Sequence, residues 1–331
     1  MLAFIIRRVI TLVPILILIS IVSFAVIELP PGDWVSFRIE SLRQSGLQVG
    51  EDEIYRLTSQ YGLDKPAYVR YVSWVTNMLQ GDFGYSFQWN EPVNKILAER
   101  VPRTMAISLM SLVLAWIIST PIGIISAVKQ YSAIDYASTF LSFIGLATPG
   151  FLLALILAYF SITVIGFSPL GLFSQQYLDA PFSLAKLLDL GKHLVLPLLI
   201  VGLTGTGVAI RVLRANLLDE LKKQYVVTAR AKGLSEYQVL MRYPVRMAIN
   251  PLISTIGFVL PGLVGGEVVV SIVLSLETTG PVLLRAVQSQ DLYLAGGIVM
   301  MLSTLTVIGT LLSDIALAAL DPRIRFGGVR K

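Results

Sequence analysis

Cysteine is absent from the 331-residue sequence, and histidine occurs only once, as His193. The lack of cysteine excludes disulfides, thiolate metal sites and cysteine nucleophiles. A single histidine leaves too few imidazoles for a histidine-based metal centre or catalytic relay. Charged residues are also scarce, at 14%, whereas a soluble domain usually carries about 25%. The chain therefore lacks the polar surface that a water-soluble fold needs.

A phosphate-binding loop is missing as well. The nearest stretch, Gly191-Lys192-His193, lacks both the upstream glycine spacing and the hydroxyl residue of the Gly-x-x-x-x-Gly-Lys-Ser/Thr motif. The net charge of +5 is too small and too scattered to indicate a nucleic-acid partner. We therefore predict that the chain is not an ATP-hydrolysing enzyme, and that a partner must perform any ATP-driven work.

Long apolar runs dominate the sequence, in which hydrophobic residues make up 55%. Because about 20 apolar residues in a helix cross the hydrocarbon layer, the sequence predicts an all-α integral membrane protein with about six transmembrane helices. We place these spans at residues 9–29, 104–128, 136–165, 194–213, 251–276 and 294–320. The third span contains Thr148-Pro149-Gly150, which predicts a kink.

Basic residues in the short loops indicate the orientation. They are frequent at both termini and in residues 214–250, and rare in the alternating loops at 166–193 and 277–293. The sequence therefore predicts a multi-pass protein of the plasma (cytoplasmic or inner) membrane with both termini and the 214–250 segment in the cytoplasm. Residues 1–103 form a first part, with a span and an extracytoplasmic segment. Residues 104–325 form the main transmembrane domain.

The extracytoplasmic segment is predicted to be folded. Pro66 is expected to begin a helix and Gly81 to end it. The apolar residues predicted to share one face of that helix are Tyr68, Tyr71, Val72, Val75, Met78 and Leu79.

Residues 214–250, between the fourth and fifth spans, hold the most informative pattern. Gly233 is predicted to end a helix over residues 219–232 with a left-handed cap, and Ser235 to cap a second helix over residues 236–248. Ala229, Ala231 and Gly233 are small, so they would let another protein approach closely. The alternative is an ordinary basic cytoplasmic loop, and these patterns alone leave it open.

The same stretch resembles the EAA-type coupling loop of ABC importer permeases, in the form typical of the dipeptide/oligopeptide class. The residues that carry this resemblance are Ala229-Arg230-Ala231-Lys232-Gly233-Leu234-Ser235. Matching pieces follow the family's order along nearly the whole chain, among them Pro31-Gly32-Asp33, Gly62-Leu63-Asp64-Lys65-Pro66, Gly81-Asp82-Phe83-Gly84-Tyr85-Ser86 and Leu320-Asp321-Pro322-Arg323. We refer to residues 214–250 as the coupling segment.

The resemblance implies a subunit that forms half of a translocation pathway. Its expected partners are a second, homologous permease subunit, two ABC ATPase subunits and an extracytoplasmic solute-binding protein. ATP and Mg²⁺ would bind the ATPase subunits, and this chain would hold no cofactor. The coupling segment would dock on one ATPase and transmit its closure to the spans. The implied solutes are oligopeptides, dipeptides or oligosaccharides.

The sequence departs from the family pattern at four places. After the glycines of the fifth span, the class usually has a glutamate, a phenylalanine and Pro-Gly-x-Gly. The corresponding residues here are Ser271, Leu274 and Glu277-Thr278-Thr279-Gly280. The usual histidine ten residues after the coupling-loop glycine is Tyr243. The departures put the identity of the solute in doubt.

Two acidic residues fall within predicted spans. Glu267, beside Gly265 and Gly266 in the fifth span, should face protein or water, because a carboxylate in hydrocarbon is costly. Together with Gly265, Gly266 and Ser271 it either lines the pathway or gate, or it caps broken backbone or pairs with the partner permease. For Asp314 in the sixth span, we favour a structural hydrogen bond or an ion pair with Arg211 or Arg214.

Two other functions compete with the importer subunit. An ion-coupled secondary transporter often shows internal repeats and paired intramembrane charges, and we find no convincing repeat. A membrane-embedded hydrolase would need a metal or a nucleophilic site within the spans, which the lack of cysteine and the single histidine disfavour.

Overall fold

Helices make up most of the computed structural model, which describes residues 2–28, 34–44, 50–60, 64–86, 88–254 and 268–320. The first helices are α1 Leu2–Glu28, α2 Trp34–Gln44, α3 Glu51–Gln60 and α4 Ala67–Leu79. An antiparallel pair of short strands, β1 Tyr85–Ser86 and β2 Glu91–Pro92, precedes α5 Val93–Val128, α6 Ala133–Ala147, α7 Gly150–Phe160 and the π-helical turn Ser161–Ile165. After a 3-10 turn at Gln175–Tyr177 come α8 Leu184–Leu221, α9 Gln224–Ala231, α10 Glu236–Arg242, α11 Pro244–Ala248, α12 Asn250–Ser254, α13 Thr279–Gln288 and α14 Leu292–Leu320.

Three helices are long and apolar enough to cross a bilayer: α1 over Ile6–Val26, α5, and α14 over Leu292–Ile315. Two bent pairs also qualify if each counts as one span, namely α6 with α7 and its π-helical extension, and the two halves of α8. The described residues thus hold three to five candidate spans, as expected for a helical membrane protein. Half of the predicted fifth span, at residues 255–267, lies outside the described residues, so the total of six stays a prediction.

The break between α6 and α7 falls at the predicted kink. Thr148 leaves helical geometry, with φ −90° and ψ 120°, because the ring of Pro149 disfavours a helical conformation in the residue before it. Proline also lacks the N–H that would continue the hydrogen-bond ladder. Helix α7 then leaves α6 at an angle of 99°.

The chain forms two compact units. The first comprises the described parts of residues 105–276 and 308–320, with residues 2–5, and α8 runs through its centre. At Gly207 of α8, an added Cβ would lie 2.8 Å from the Ser142 carbonyl oxygen of α6. At Gly123 of α5, it would lie 3.1 Å from the Leu213 side chain of α8. Small residues at these crossings let membrane helices pack closely, which favours their association in lipid.

The second unit joins the described parts of residues 6–104 to residues 277–307. The side chain of Asp291, which is fully buried, connects them. Its Oδ2 accepts hydrogen bonds from Ser86 Oγ at 2.6 Å and from the Gln88 backbone N–H at 3.2 Å. Its Oδ1 accepts one from the Leu294 N–H at 3.2 Å, at the start of α14. No local pattern predicts this contact, because Ser86 and Asp291 are 205 positions apart.

Helix α4, in the second unit, lies between Pro66 and Gly81 as predicted. Only part of the predicted apolar face is buried. The side chains that pack inward are Tyr71, Trp74, Val75 and Met78. Three residues assigned to the same face are exposed, namely Tyr68, Val72 and Leu79. The apolar face predicted from the sequence is therefore only partly covered within the chain.

Cysteine labelling tests the predicted topology, because the natural chain contributes no background thiol. Asp64 and Lys232 are both exposed. Asp64→Cys is expected to react with a membrane-impermeant maleimide on the extracytoplasmic side, and Lys232→Cys only after the membrane is opened. Labelling of Asp64→Cys from the cytoplasmic side alone would show that the predicted orientation is inverted.

Candidate functional site

The coupling segment forms three short helices after the long helix α8 ends at Leu221. Its first predicted helix is interrupted, because Lys222 closes α8 and Lys223 adopts an extended conformation before α9 begins. Its second predicted helix is also divided, into α10 and α11. Tyr243, with φ −122° and ψ −75°, separates them, since Pro244 restricts the residue before it and cannot donate a backbone hydrogen bond.

A tight turn between α9 and α10 is the centre of the segment. Gly233 has φ +78°, and its N–H donates to the Arg230 carbonyl at 2.9 Å, while the Leu234 N–H donates to the Ala229 carbonyl at 3.4 Å. This pair of bonds is the Schellman arrangement that ends a helix at a left-handed residue. The structure thus places the predicted left-handed cap at Gly233.

Ser235 starts the next helix, also as predicted. Its Oγ accepts a hydrogen bond from the Gln238 N–H at 3.4 Å, and Gln238 Oε1 accepts one from the Ser235 N–H at 3.3 Å. This reciprocal capping box satisfies backbone donors that the first turn of a helix otherwise leaves open. The two caps fix the direction in which α10 leaves the turn.

Ala229 points into the segment and not toward a partner. It is 5% exposed and packs with Val226, Val239 and Leu234. Ala231 and Gly233 lie on the surface, together with Lys232. Of the three small residues singled out in the sequence, only these two can border an approaching protein.

An ion pair spans the turn on its outer side. Arg230 Nε lies 2.9 Å from Glu236 Oε1, and Arg230 Nη2 lies 3.2 Å from Glu236 Oε2. Both side chains are largely exposed, so the pair contributes little to stability, roughly 0–1 kcal/mol. Its main effect is to orient the charges of Arg230 and Glu236 beside the exposed turn.

The opposite side of the segment packs on the long helices of the first unit. Buried side chains of α11 and α12 meet buried side chains of α8 and the end of α5. The members of this cluster are Ala127, Ala209, Leu213, Leu217, Val245, Ala248 and Leu252. Close-packed apolar contacts of this kind transmit displacement. A force on the exposed turn would therefore reach α8 and α5.

Tyr243, which replaces the usual histidine, lies beside Tyr225 with 6.3 Å between ring centroids. The Tyr225 hydroxyl donates a hydrogen bond to the Glu220 carboxylate. Burial, and secondly the interaction with Glu220, raises the pKa of the Tyr225 hydroxyl above its ordinary value. Tyr225 therefore stays protonated and keeps donating at physiological pH.

A buried ion pair close to the start of the coupling segment was missed by sequence reasoning. Arg214, which we considered as a partner of Asp314, instead donates to Asp135 through Nε at 2.6 Å and Nη2 at 2.7 Å. Asp135 is 2% exposed and also accepts from the Ser126 hydroxyl and from the Tyr131 N–H. Arg211, the other candidate, lies over the Phe143 ring. The sequence feature that could have indicated this ion pair is Asp135 itself, an acidic residue in the first turn of the apolar helix α6.

The predicted pathway residues are mostly beyond what the structure describes. Gly265, Gly266 and Glu267 lie outside the described residues, and their role stays a prediction. Ser271 is described and fully buried. It precedes Leu274, which packs in the hydrophobic cluster of the first unit.

Two further departures from the family pattern have local partners in the second unit. Glu277 accepts hydrogen bonds from Arg100, at 2.9 Å, and from Arg103 of α5. The Thr279 N–H donates to Thr104 Oγ1 at 2.9 Å, and the two hydroxyls are 3.0 Å apart. These bonds hold the start of α13 against α5, and two of the groups involved are the Glu277 carboxylate and the Thr279 hydroxyl.

His193 is buried and has a structural environment. Its Nδ1 lies 2.9 Å from the Asp189 carbonyl oxygen, and its ring meets Phe167 edge-on at 4.9 Å. Across the described ranges, no cluster of three or more His, Cys, Asp or Glu side chains is arranged to hold a metal ion.

Comparisons with known proteins cover nearly the whole chain. The family described as "Binding-protein-dependent transport system inner membrane component" matches residues 119–326. A second family, which describes the N-terminal part of such membrane components, matches residues 1–108. The "Oligopeptide transport system permease protein AppB" of Bacillus subtilis (strain 168) is 35% identical over 327 residues, or 98% of this chain and 100% of that protein.

A solved structure shares the fold. A chain of the MetNI methionine ABC transporter, crystallised in inward-facing conformations, superposes with a TM-score of 0.52 and 16% sequence identity. The match covers 68% of this chain and 96% of that chain. At this level of identity the likeness concerns the fold alone.

Proposed function

The chain belongs to the family of binding-protein-dependent transport system inner membrane components, and from this premise we propose that it forms half of the translocation pathway of an ATP-driven oligopeptide importer. It is an ABC transporter permease subunit. Family membership decides against the ion-coupled secondary transporter and the membrane-embedded hydrolase. Its partners include ATPase and solute-binding components. We propose the stoichiometry of one second permease subunit, two ATPase subunits and one extracytoplasmic binding protein.

The proposed mechanism depends on the fact that one side of the coupling segment is exposed and the other is packed on the long helices. One side presents Ala231, Lys232 and Gly233 to the surface, and the other packs its buried residues on α8 and α5. An ATPase subunit bound to the exposed turn would move α8 and α5 when it closes around ATP. In this mechanism ATP and Mg²⁺ stay on the ATPase subunits, and this chain performs no hydrolysis. The arrangement needs the segment to be cytoplasmic, and with six spans both chain termini would be cytoplasmic too.

Peptides are the solutes that we propose first. The relative AppB is named as an oligopeptide transport system permease, and it matches this chain from end to end. Oligosaccharides are the second class, because Ser271, Leu274 and residues 277–280 depart from the pattern of the peptide class. No comparison supports the oligosaccharides directly.

Uptake into proteoliposomes tests the proposed function. The chain, its partner permease, the ATPase subunits and the binding protein would be reconstituted together. Accumulation of a labelled oligopeptide is expected only with Mg-ATP on the ATPase side and the binding protein on the other. Accumulation driven by a proton or sodium gradient without ATP would contradict the proposal.

Glu267 is proposed to line the pathway. Glu267→Gln removes the charge and keeps the size, so it is expected to change the uptake rate or the solute preference of assembled complexes severalfold. The measurement is uptake per assembled complex, with assembly quantified by co-purification of the partner subunits. Reduced assembly with unchanged uptake per complex would instead assign Glu267 a structural role.

A further inference from the structure

Helix α4 packs against helices that are candidate membrane spans, although it lies between spans in the sequence. The Tyr71 hydroxyl is 2.8 Å from Ser20 Oγ of α1, and the Trp74 ring lies beside Phe24 with 5.9 Å between centroids. Trp74 also meets Gly296 of α14, where an added Cβ would come within 2.7 Å of its ring. Ser20, Phe24 and Gly296 all lie within the apolar stretches long enough to span a bilayer.

The contacts also fix the level of α4 along α1. Arg70 forms an ion pair with Glu28, the last residue of α1. At 1.5 Å per helical residue, Ser20 is about 12 Å from Glu28 along the axis. Helix α4 therefore lies against the last two turns of α1, where a spanning helix leaves the hydrocarbon for the polar interface.

Beside its buried face, α4 has a second apolar stripe that no described side chain covers. Tyr68, Val72 and Leu79, the apolar flank, are 72%, 59% and 84% exposed. At about 100° per residue, these three side chains fall within a sector of about 40°. The next sector around the helix is mainly polar and carries Ser73, Thr76 and Asn77, all exposed, together with the half-buried Val69.

We propose that α4 is an interfacial membrane helix whose apolar flank is covered by lipid. One face of α4 packs on α1 and α14, the apolar flank faces the boundary between headgroups and acyl chains, and the polar sector faces water. Helices of this kind bury their apolar face about 5–10 Å into that boundary. Tyr68 suits such a position, because tyrosines concentrate at membrane interfaces.

Lipid explains the apolar flank better than a protein partner does. The helix α1, on which α4 packs, has a candidate span that is only 17% buried within the chain, so lipid is expected beside α4 as well. It carries no charged residue, and three side chains are far too few for a stable protein interface, which buries about 800 Å² on each partner.

Spin-label accessibility tests the proposal in the complete transporter, reconstituted in vesicles of phosphatidylethanolamine and phosphatidylglycerol. A nitroxide is attached at Val72→Cys or Leu79→Cys on the apolar flank, and at Ser73→Cys or Asn77→Cys as matched controls on the same helix. The ratio of collisions with oxygen to collisions with a water-soluble nickel chelate is expected to be severalfold higher at the flank positions, because oxygen concentrates in lipid.

Two results would overturn the proposal. Flank labels that are as accessible to nickel as the control labels would place the flank in water. Flank labels shielded from both reagents, with or without added binding protein, would place it against protein.

A second experiment keeps the spin label at residue 79 and compares the variants Val72→Asp and Ser73→Asp. Only Val72→Asp is expected to increase collisions with nickel, because its charge would draw the flank out of the lipid.

Discussion

Replacement of Gly233 by arginine is expected to reduce ATP-driven uptake to near background while the chain still inserts in the membrane. With φ +78° at this position, a side chain costs about 1–2 kcal/mol of strain. Apart from its two chain neighbours, no atom of the described residues lies within 4 Å of an added Cβ, so the arginine would project from the exposed turn, where we propose that the ATPase docks. Uptake, solute-stimulated ATP hydrolysis and co-purification of the ATPase are the measurements, and all three should fall.

Gly233→Asn is the matched control, because asparagine tolerates the left-handed conformation and its side chain is short. It should retain most of the uptake. Lys223→Gln should also have little effect, since it removes only a partly exposed ion pair with Glu220. Normal uptake by Gly233→Arg complexes that retain their full complement of ATPase would show that the coupling segment does not drive the spans.

The second large effect is expected at the ion pair between Asp135 and Arg214. Asp135→Asn keeps the volume but leaves the Arg214 guanidinium without its carboxylate. Removing one partner of a fully buried pair costs about 3–5 kcal/mol. The Arg214 side chain is 24% exposed, so we expect about 2–3 kcal/mol here, after allowing for partial solvation. The measurement is the thermal unfolding midpoint of the purified complex, with uptake measured in parallel.

A double-mutant cycle separates the pair from other effects of the substitutions. Arg214→Gln alone should also destabilise the complex, because Asp135 would then be a buried and unpaired carboxylate. The double variant Asp135→Asn/Arg214→Gln has no unpaired charge, and its unfolding midpoint should lie above those of both single variants. Strictly additive effects would show that the two side chains are not energetically coupled.

Local features of the fold were predictable from the sequence because neighbouring residues determine them. The cap at Gly233, the start of α10 at Ser235 and the break at Pro149 each depend on the backbone preferences of one or two residues. Candidate spans depend on length and hydropathy, which are also local. The sequence did not show which part of the apolar face of α4 is buried, because that depends on the contacts of Trp74 with residues of α1 and α14.

Contacts between distant positions account for the rest. The sequence shows that Arg214 and Asp135 are charged residues beside or within apolar segments. It does not show that positions 79 residues apart meet. The burial of Ala229 was not predictable for the same reason. A small residue in this segment can either border a partner protein or pack inside the segment, as Ala229 does against Val239. The position of each of these side chains is determined by its contacts with another helix.

The turn at Gly233 also bears on the kinetics of assembly. Its Schellman bonds, its capping box and its apolar cluster are all made within the segment itself. A partner that binds this surface meets a peptide that is already ordered, so little conformational entropy is lost on association. Preorganised surfaces bind without a slow folding step. Recruitment of the ATPase should therefore be limited by diffusional encounter and orientation, and its rate should depend on ionic strength through the exposed charges of Arg230, Lys232 and Glu236.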